Sequence, residues 1–434
     1  SLAIACTAGW DTDCNAGNVG CLVGIAGGLA AIDAGPDWRG PVADRMYLSS
    51  AEGGRAITDA VIEAQSLVRA GQILKGHDPA PLPKNARFNF AFPGSVQGFA
   101  ASGAEAVLEN VSGHSVDGDR SVAIRFARLT ETAPLHVATP SFAMRSAFSM
   151  RSYQLSCSPT LYPGQVVELR IEADVRNAGT VAVFVHGSCF GAEDRLKTLA
   201  GPERTLAPGE AAVLHWQMPD TGGQPIAEIG VGLRGCGPEA CEGSLYLDYV
   251  RWSGSPDMVL RRPEAPGEMW FRAWVNDASH FSNRFEAFRV SQDQGRGLVT
   301  QGTRDWADYT VEASLRPDLA RAWGLAARVQ GLRRYYAALF EKPGSDMSSP
   351  RGTLRLIRMR DAEETLAVVE RDWSLDTAYT VKLCVKDGQI QAFVDGVHVL
   401  AATDSGALAI PDGGIGILCE EGAVATDAIV IRPA

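Results

Sequence analysis

The chain has 434 residues, 46% hydrophobic and 21% charged, a mixture that excludes disordered and fibrous proteins and favours about three domains, each with a core of its own. A formal net charge of -11 repels polyanions, which excludes nucleic acid as a ready partner and leaves a basic protein surface or a small ligand. No apolar run reaches the roughly 18 residues of a membrane span, since the longest, Val19 to Ile32, is short and crowded with glycine, so no span is expected.

The first residue is Ser, and a motif-like segment follows within ten residues without a signal-peptide pattern, so the chain reads as a fragment that begins inside a longer protein. That segment is AGWDTDCNAGNVGCLVGIAGGLAAI. Asp11 and Asp13 stand one residue apart just before a helix, and clustered carboxylates of this kind suit a hard cation such as magnesium. Gly17, Gly20, Gly24 and Gly27 recur every three or four residues, leaving one helix face almost bare so that another helix can approach closely. The same residues also fit a closely packed helix capped by solvated aspartates.

This run, a D-x-D turn followed by a glycine-rich helix, resembles the C-terminal metal motif of the ADP-ribosylglycohydrolase family, and PDWRGPVADR resembles a later segment of that family. The resemblance implies an all-helical bundle holding two magnesium ions and an activity at the anomeric ribose carbon of ADP-ribosyl conjugates or related glycosides. Position by position, Asp11 and Asp13 become metal ligands with Cys14 beside them, and Trp10 and Asn15 border the substrate pocket. Cys14 stands where the family usually has threonine, and a thiol is a poor magnesium ligand. The family's Thr-Asp-Asp cluster and acidic general base belong to the earlier half of the bundle and have no counterpart here. The resemblance therefore implies an incomplete site, no catalytic residue in this chain, and no hydrolysis by the fragment alone.

Apolar residues at helical spacing (Ile57, Val61, Ile62, Leu67, Val68, Leu74) extend the helical reading to about Gly76, with Thr58-Asp59 as a cap and Gly71 and Gly76 as stops. The three prolines of HDPAPLPKNA mark a linker. Beyond it the period changes to two, at Val122 to Phe126, Val167 to Val175, Val181 to Val185, Ala212 to Trp216 and Leu245 to Trp252, as in an antiparallel sandwich. Its closing GSLYLDYVRWSG resembles the terminal strand of jelly-roll carbohydrate-binding modules. On that likeness Tyr246 and Trp252 become candidates for stacking on a sugar, while a buried aromatic pair is the plainer alternative.

A second proline-rich linker, SPDMVLRRPEAPGE, leads into a last segment whose strands Thr380 to Val385, Gln389 to Val394 and Val397 to Ala401 join at Asp387-Gly388 and Asp395-Gly396, sequences suited to tight hairpins. This segment is similar to concanavalin or laminin-G-like sandwiches. Its arginines (Arg328, Arg333, Arg334, Arg355, Arg358, Arg360), with Tyr335 and Tyr336, read as a patch for anionic sugars or as a solvated strand face. Nine cysteines are an odd and scattered set, and only Cys236 and Cys241 lie close enough for a local bridge, two reduced loop thiols being the alternative. Ser-Met-Arg-Ser and Gly-Ser-Cys lack a nucleophile setting, and no dinucleotide motif is present.

The expected architecture is multidomain: part of an all-α bundle with its linker over 1–86, a jelly-roll-like β-sandwich over 87–256, and a concanavalin-like β-sandwich over 257–434. The expected function is a magnesium-dependent glycohydrolase carrying glycan-binding-like modules, with a non-catalytic carbohydrate-binding or docking protein as the alternative. The family resemblance implies the cytoplasm, whereas such sandwiches suit the extracellular space.

Overall fold

The computed structural model describes residues 2–116, 120–149, 155–237, 239–344 and 349–434; the Ser-Met-Arg-Ser run falls largely outside them. Helices Leu2–Cys6 and Thr12–Asp33 open the chain. Helix Thr12–Asp33 has no buried residue, and along its glycine face Leu2 is the neighbour from outside the helix, its Cδ1 lying 3.7 Å from the position a Cβ would take at Gly20. Among the described residues the close helix partner expected there is not present. Contrary to the expectation of no span, this helix is long and apolar enough to cross a membrane by length and composition, with a mean hydropathy of 1.4. Small residues count as apolar over its whole 22-residue length, whereas the sequence run was measured only from Val19.

The stretch to Gly76 is not all-helical. Arg45–Tyr47 pairs antiparallel with Ile57–Asp59, and helix Ala60–Leu74 starts only afterwards. The cap explains this: Asp59 is extended (φ -140, ψ 167) and its Oδ1 accepts from the Val61 and Ile62 amides at 2.8 Å, so the residues before it continue as strand. Gly71 lies inside the helix, and Gly76, at φ 77, ends it. Gly53 and Gly54 fit between Ser158 and Val275 on one side and Thr303 on the other, where a Cβ would meet atoms at 2.5 Å. Ala56 and Ile57 are buried with Phe142, Phe190, Met269 and Ala273, so this segment is wedged against both sandwiches. Arg39, in the PDWRGPVADR segment, reaches Asp33 at 3.3 Å, Asp44 at 3.1 Å and the Pro93 carbonyl at 3.1 Å, tying the long helix to the first sandwich.

The proline-rich stretch at 77–86 is no free linker. Lys84 is buried, its Nζ donating to the carbonyls of Asn89, Arg120 and Asp248 at 2.8 Å each and lying 2.6 Å from Asp248 Oδ1.

The first sandwich packs two antiparallel sheets. One runs Arg204–Leu206, Val181–Phe190, Ile226–Gly235, Leu135–Pro140, Ala100–Gly103; the other runs Ala211–Gln217, Val166–Ala173, Cys241–Ser253, Arg120–Leu129, Ala106–Ser112. Inward residues of both, among them Val122, Ile124, Val183, Val185, Ile229 and Leu247, close one core.

The second sandwich faces a sheet of Ala362–Glu370, Thr353–Arg360, Arg334–Glu341, Ala322–Gly331, Gly414–Thr426 and Phe288–Gln301 against one of Met258–Arg261, Ala428–Pro433, Tyr309–Asp318, Tyr379–Lys386, Gln389–Val394 and Val397–Thr403. The sheets join where Arg316–Asp318 pairs with Ala423–Ala425. Both expected Asp-Gly turns form, with φ of 47 and 80 at Asp387-Gly388 and 52 and 78 at Asp395-Gly396. Core aromatics are dense: Trp323 stacks on Phe340 at 4.2 Å and meets Trp373 edge-on at 5.7 Å.

Candidate functional site

The expected metal turn forms at the surface. Asp11 takes a left-handed backbone (φ 49) as the residue before the helix, and one ligand atom from each of Asp11, Asp13 and Cys14 lies within 4.8 Å of the others. All three are exposed, Trp10 is 86% exposed and Asn15 is exposed, so no pocket wall is built from them among the described residues. A hydrogen bond with Asp11, then the negative charges of Asp11 and Asp13, push the Cys14 thiol up, so it is neutral and a still poorer ligand than an ordinary cysteine. The two carboxylates fit a hard cation; the thiol does not.

Tyr246 and Trp252 do not act together. Strict alternation would put them on one face of strand Cys241–Ser253, but the register slips between Leu247 and Tyr249, and Asp248 is the extra residue. Tyr246 thus faces outward while Trp252 turns with Val250 towards the core. Tyr246 is only 6% exposed: His114 lies flat on its ring at 3.5 Å, and its hydroxyl donates to Asp174 Oδ2 at 2.6 Å. No ring face is left for a sugar there. Trp252 packs on Phe88 and donates its indole N–H to Asp305 Oδ2 at 3.3 Å. Cys236 and Cys241 are both free thiols.

On the outward face of the other sheet, His136 and His186 stack at 4.0 Å, and His136 meets the Phe184 ring edge-on. Gly232 makes room, since a Cβ there would lie 2.2 Å from the Phe184 ring. Burial, then the neighbouring His136, push His186 down to about 3. Because the folded value lies below the unfolded ~6.5, this neutral imidazole stabilises the fold fully above that pH, and the contribution is lost as pH falls towards 3. Between pH 6.5 and 5 the loss is about 2 kcal/mol. Urea midpoints compared at the two values should fall for the native chain and fall less for His186→Gln.

The arginine-rich stretch is not one patch: Arg333 and Arg334 are exposed, while alternate residues of strand Thr353–Arg360 point to opposite sides. Arg358 turns inward and is 8% exposed, its Nη1 donating at 2.6 Å to Asp404, which also accepts from the Tyr336 hydroxyl at 2.7 Å. Arg328 is equally buried and pairs with Asp308 at 3.1 Å. Arg355 turns outward, its Nη1 lying 2.8 Å from Glu363 Oε1.

That outward face carries a site the sequence reading missed. Leu298, Ala322, Ala326, Tyr335, Ala337, Leu339, Ile357 and Leu418 form a second buried apolar cluster on the side away from the main core, each no more than 2% exposed. Around it stand charges in register. Arg296 donates from Nε to Glu420 at 2.5 Å, and from Nη1 to Glu363 at 2.7 Å and to the Tyr335 hydroxyl at 3.3 Å. With Leu298, Leu332, Met359, Asp277, Arg333 and Asp361 these charged groups and Tyr335 enclose a cup of about 310 Å³. Burial alone would raise Glu363, but the hydrogen bond and charge of Arg296, with Arg355 behind them, outweigh it and hold the carboxyl below its ordinary value. Asp277 is raised by burial. The cup thus offers ionised acceptors and fixed cationic donors side by side over an aliphatic base, an arrangement that can hold vicinal hydroxyls of a neutral polyol.

No protein-family model matches the chain, and no curated protein matches it. Solved structures do. A carbohydrate-binding module, CBM66, from Bacillus subtilis is 14% identical and covers 37% of this chain and 94% of the module, with a TM-score of 0.32. A Bacillus subtilis protein of unknown function with a galectin-like fold is 14% identical over 38% of this chain and 90% of its own, with a TM-score of 0.30. The C-terminal family 22 carbohydrate-binding module of Clostridium thermocellum Xyn10B is 14% identical over 38% and 89%, with a TM-score of 0.27.

Proposed function

We propose that this chain is a carbohydrate-binding protein and that the cup on the outer face of the second sandwich holds the sugar. One observation carries this reading: a cup in which the apolar side chains of Leu298, Leu332 and Met359 stand among paired carboxylates and guanidiniums. A pyranose presents C–H groups on its faces and hydroxyls at its rim. Leu298 and Leu332 suit the first, and Glu363, Glu420 and Arg296 suit the second. The test is a glycan array probed with the intact chain, followed by calorimetric titration of the strongest neutral hit. Binding is expected in the micromolar to millimolar range; an array without any hit would refute the reading.

A second reading keeps the N-terminal turn as part of a magnesium site of the ADP-ribosylglycohydrolase kind, supported by the convergence of Asp11 and Asp13. The carboxylates would contribute two oxygen ligands, and when bound the ion would polarise the scissile glycosidic centre. With all three residues exposed, calorimetry should show no tight magnesium binding to this chain alone and no difference between it and Asp13→Ala. Tight binding, lost in that variant, would mean the chain holds a complete site.

A further inference from the structure

A cleft of about 430 Å³ lies where helix Ala60–Leu74 meets the chain at 82–87, the end of strand Cys241–Ser253 and the turn at Asp305. Its charged lining is uneven. Arg251 is matched by Glu168 at 2.8 Å, and Asp305 already accepts from Trp252 and, at 3.2 Å, from the Thr303 hydroxyl. Arg69 donates to the Ala80 carbonyl and forms no ion pair among the described residues.

Arg87 is the informative group. Its Nη2 donates to the Ile57 carbonyl at 2.8 Å and its guanidinium lies 5.5 Å from the centre of the Trp252 ring, yet its Nε is buried without a hydrogen-bond partner. A buried cationic N–H without an acceptor is costly, and the side chain that carries it lines the cleft beside Arg69. Burial pushes the guanidinium below its ordinary value, against the attraction of Asp305, Asp59, Glu63 and Glu52.

We propose that this cleft binds an acidic sugar, with Arg87 and Arg69 holding its oxyanion and Trp252 bordering its ring. The volume is that of a small-ligand pocket and takes one or two sugar units. This site is separate from the cup and does not depend on it.

The test is calorimetric titration of the intact chain, at fixed ionic strength, with glucuronate, glucose 6-phosphate, glucose and inorganic phosphate. At least one acidic sugar should bind, with glucose and phosphate each at least tenfold weaker. The glucuronate and sugar phosphate arms tell a carboxylate from a phosphate. Arg87→Gln should lower the affinity at least tenfold. Because Arg87 also supports packing, Arg69→Gln on the helix surface is the second variant, with the same loss expected, while Glu363→Gln in the cup should leave this affinity unchanged. Absence of binding at millimolar acidic sugar, equal binding of glucose, phosphate binding as tightly as the sugar phosphate, or an affinity unmoved by Arg69→Gln would each overturn the proposal.

Discussion

Replacing Lys84 by Met should destabilise the first sandwich by about 3–5 kcal/mol. The ammonium side chain is 1% exposed, and its ion-pair partner Asp248 is fully buried. Removing one member of such a pair leaves the other charged, desolvated and without compensation. Asp248 would keep the Arg170 guanidinium at 3.3 Å and the Val116 amide at 3.1 Å, so part of its charge stays satisfied and the loss should fall towards the lower end of that range. Three backbone carbonyls would lose their shared donor as well. The double variant Lys84→Met with Asp248→Asn should recover part of the loss, because it removes the stranded charge. Urea midpoints of the three proteins decide the matter. A shift under 1 kcal/mol for Lys84→Met would mean that the stretch at 77–86 is a true linker after all.

The second large effect is expected in the cup. Glu363→Gln keeps the shape of the side chain but removes an ionised acceptor that Arg296 and Arg355 hold in place. A hydrogen bond to a charged group contributes about 1.5–3 kcal/mol, so affinity for the glycan selected on the array should fall by roughly ten- to a hundredfold. Fold stability should change little, since the group is partly exposed at 27%. Because Glu363 is held ionised below its ordinary value, affinity should also stay flat from neutral pH downwards and weaken only below the usual carboxylate range. An unchanged affinity in Glu363→Gln would remove the cup from sugar recognition.

The sequence made some of this legible. Period-two runs placed five strands of the first sandwich and the two Asp-Gly pairs placed a three-stranded meander of the second, because these patterns act within a few residues. The Asp59 cap was readable for the same reason. What local pattern could not show was anything set by long-range pairing. A one-residue bulge at Asp248 sent Tyr246 and Trp252 to opposite faces, and no hydrophobic period announces a bulge. The arginines of the last segment looked like one patch because they are close in sequence, yet strand alternation puts Arg355 outside and Arg358 inside. The cup was invisible because Arg296 meets Glu363 from 67 positions away and Glu420 from 124. Lys84, two residues from the end of a proline-rich run, gave no sign of burial, since two of the carbonyls that hold it come from strands far along the chain.

The most direct measurement is a methyl NMR titration of the intact chain with its best neutral glycan. The methyl signals of Leu298, Leu332 and Met359, which line the cup, should move together and saturate at the calorimetric affinity, while those of Val183, Val185 and Ile229 in the first sandwich stay still. Shifts confined to the first sandwich, or none at saturating sugar, would contradict the assignment of the second sandwich as the sugar-binding body.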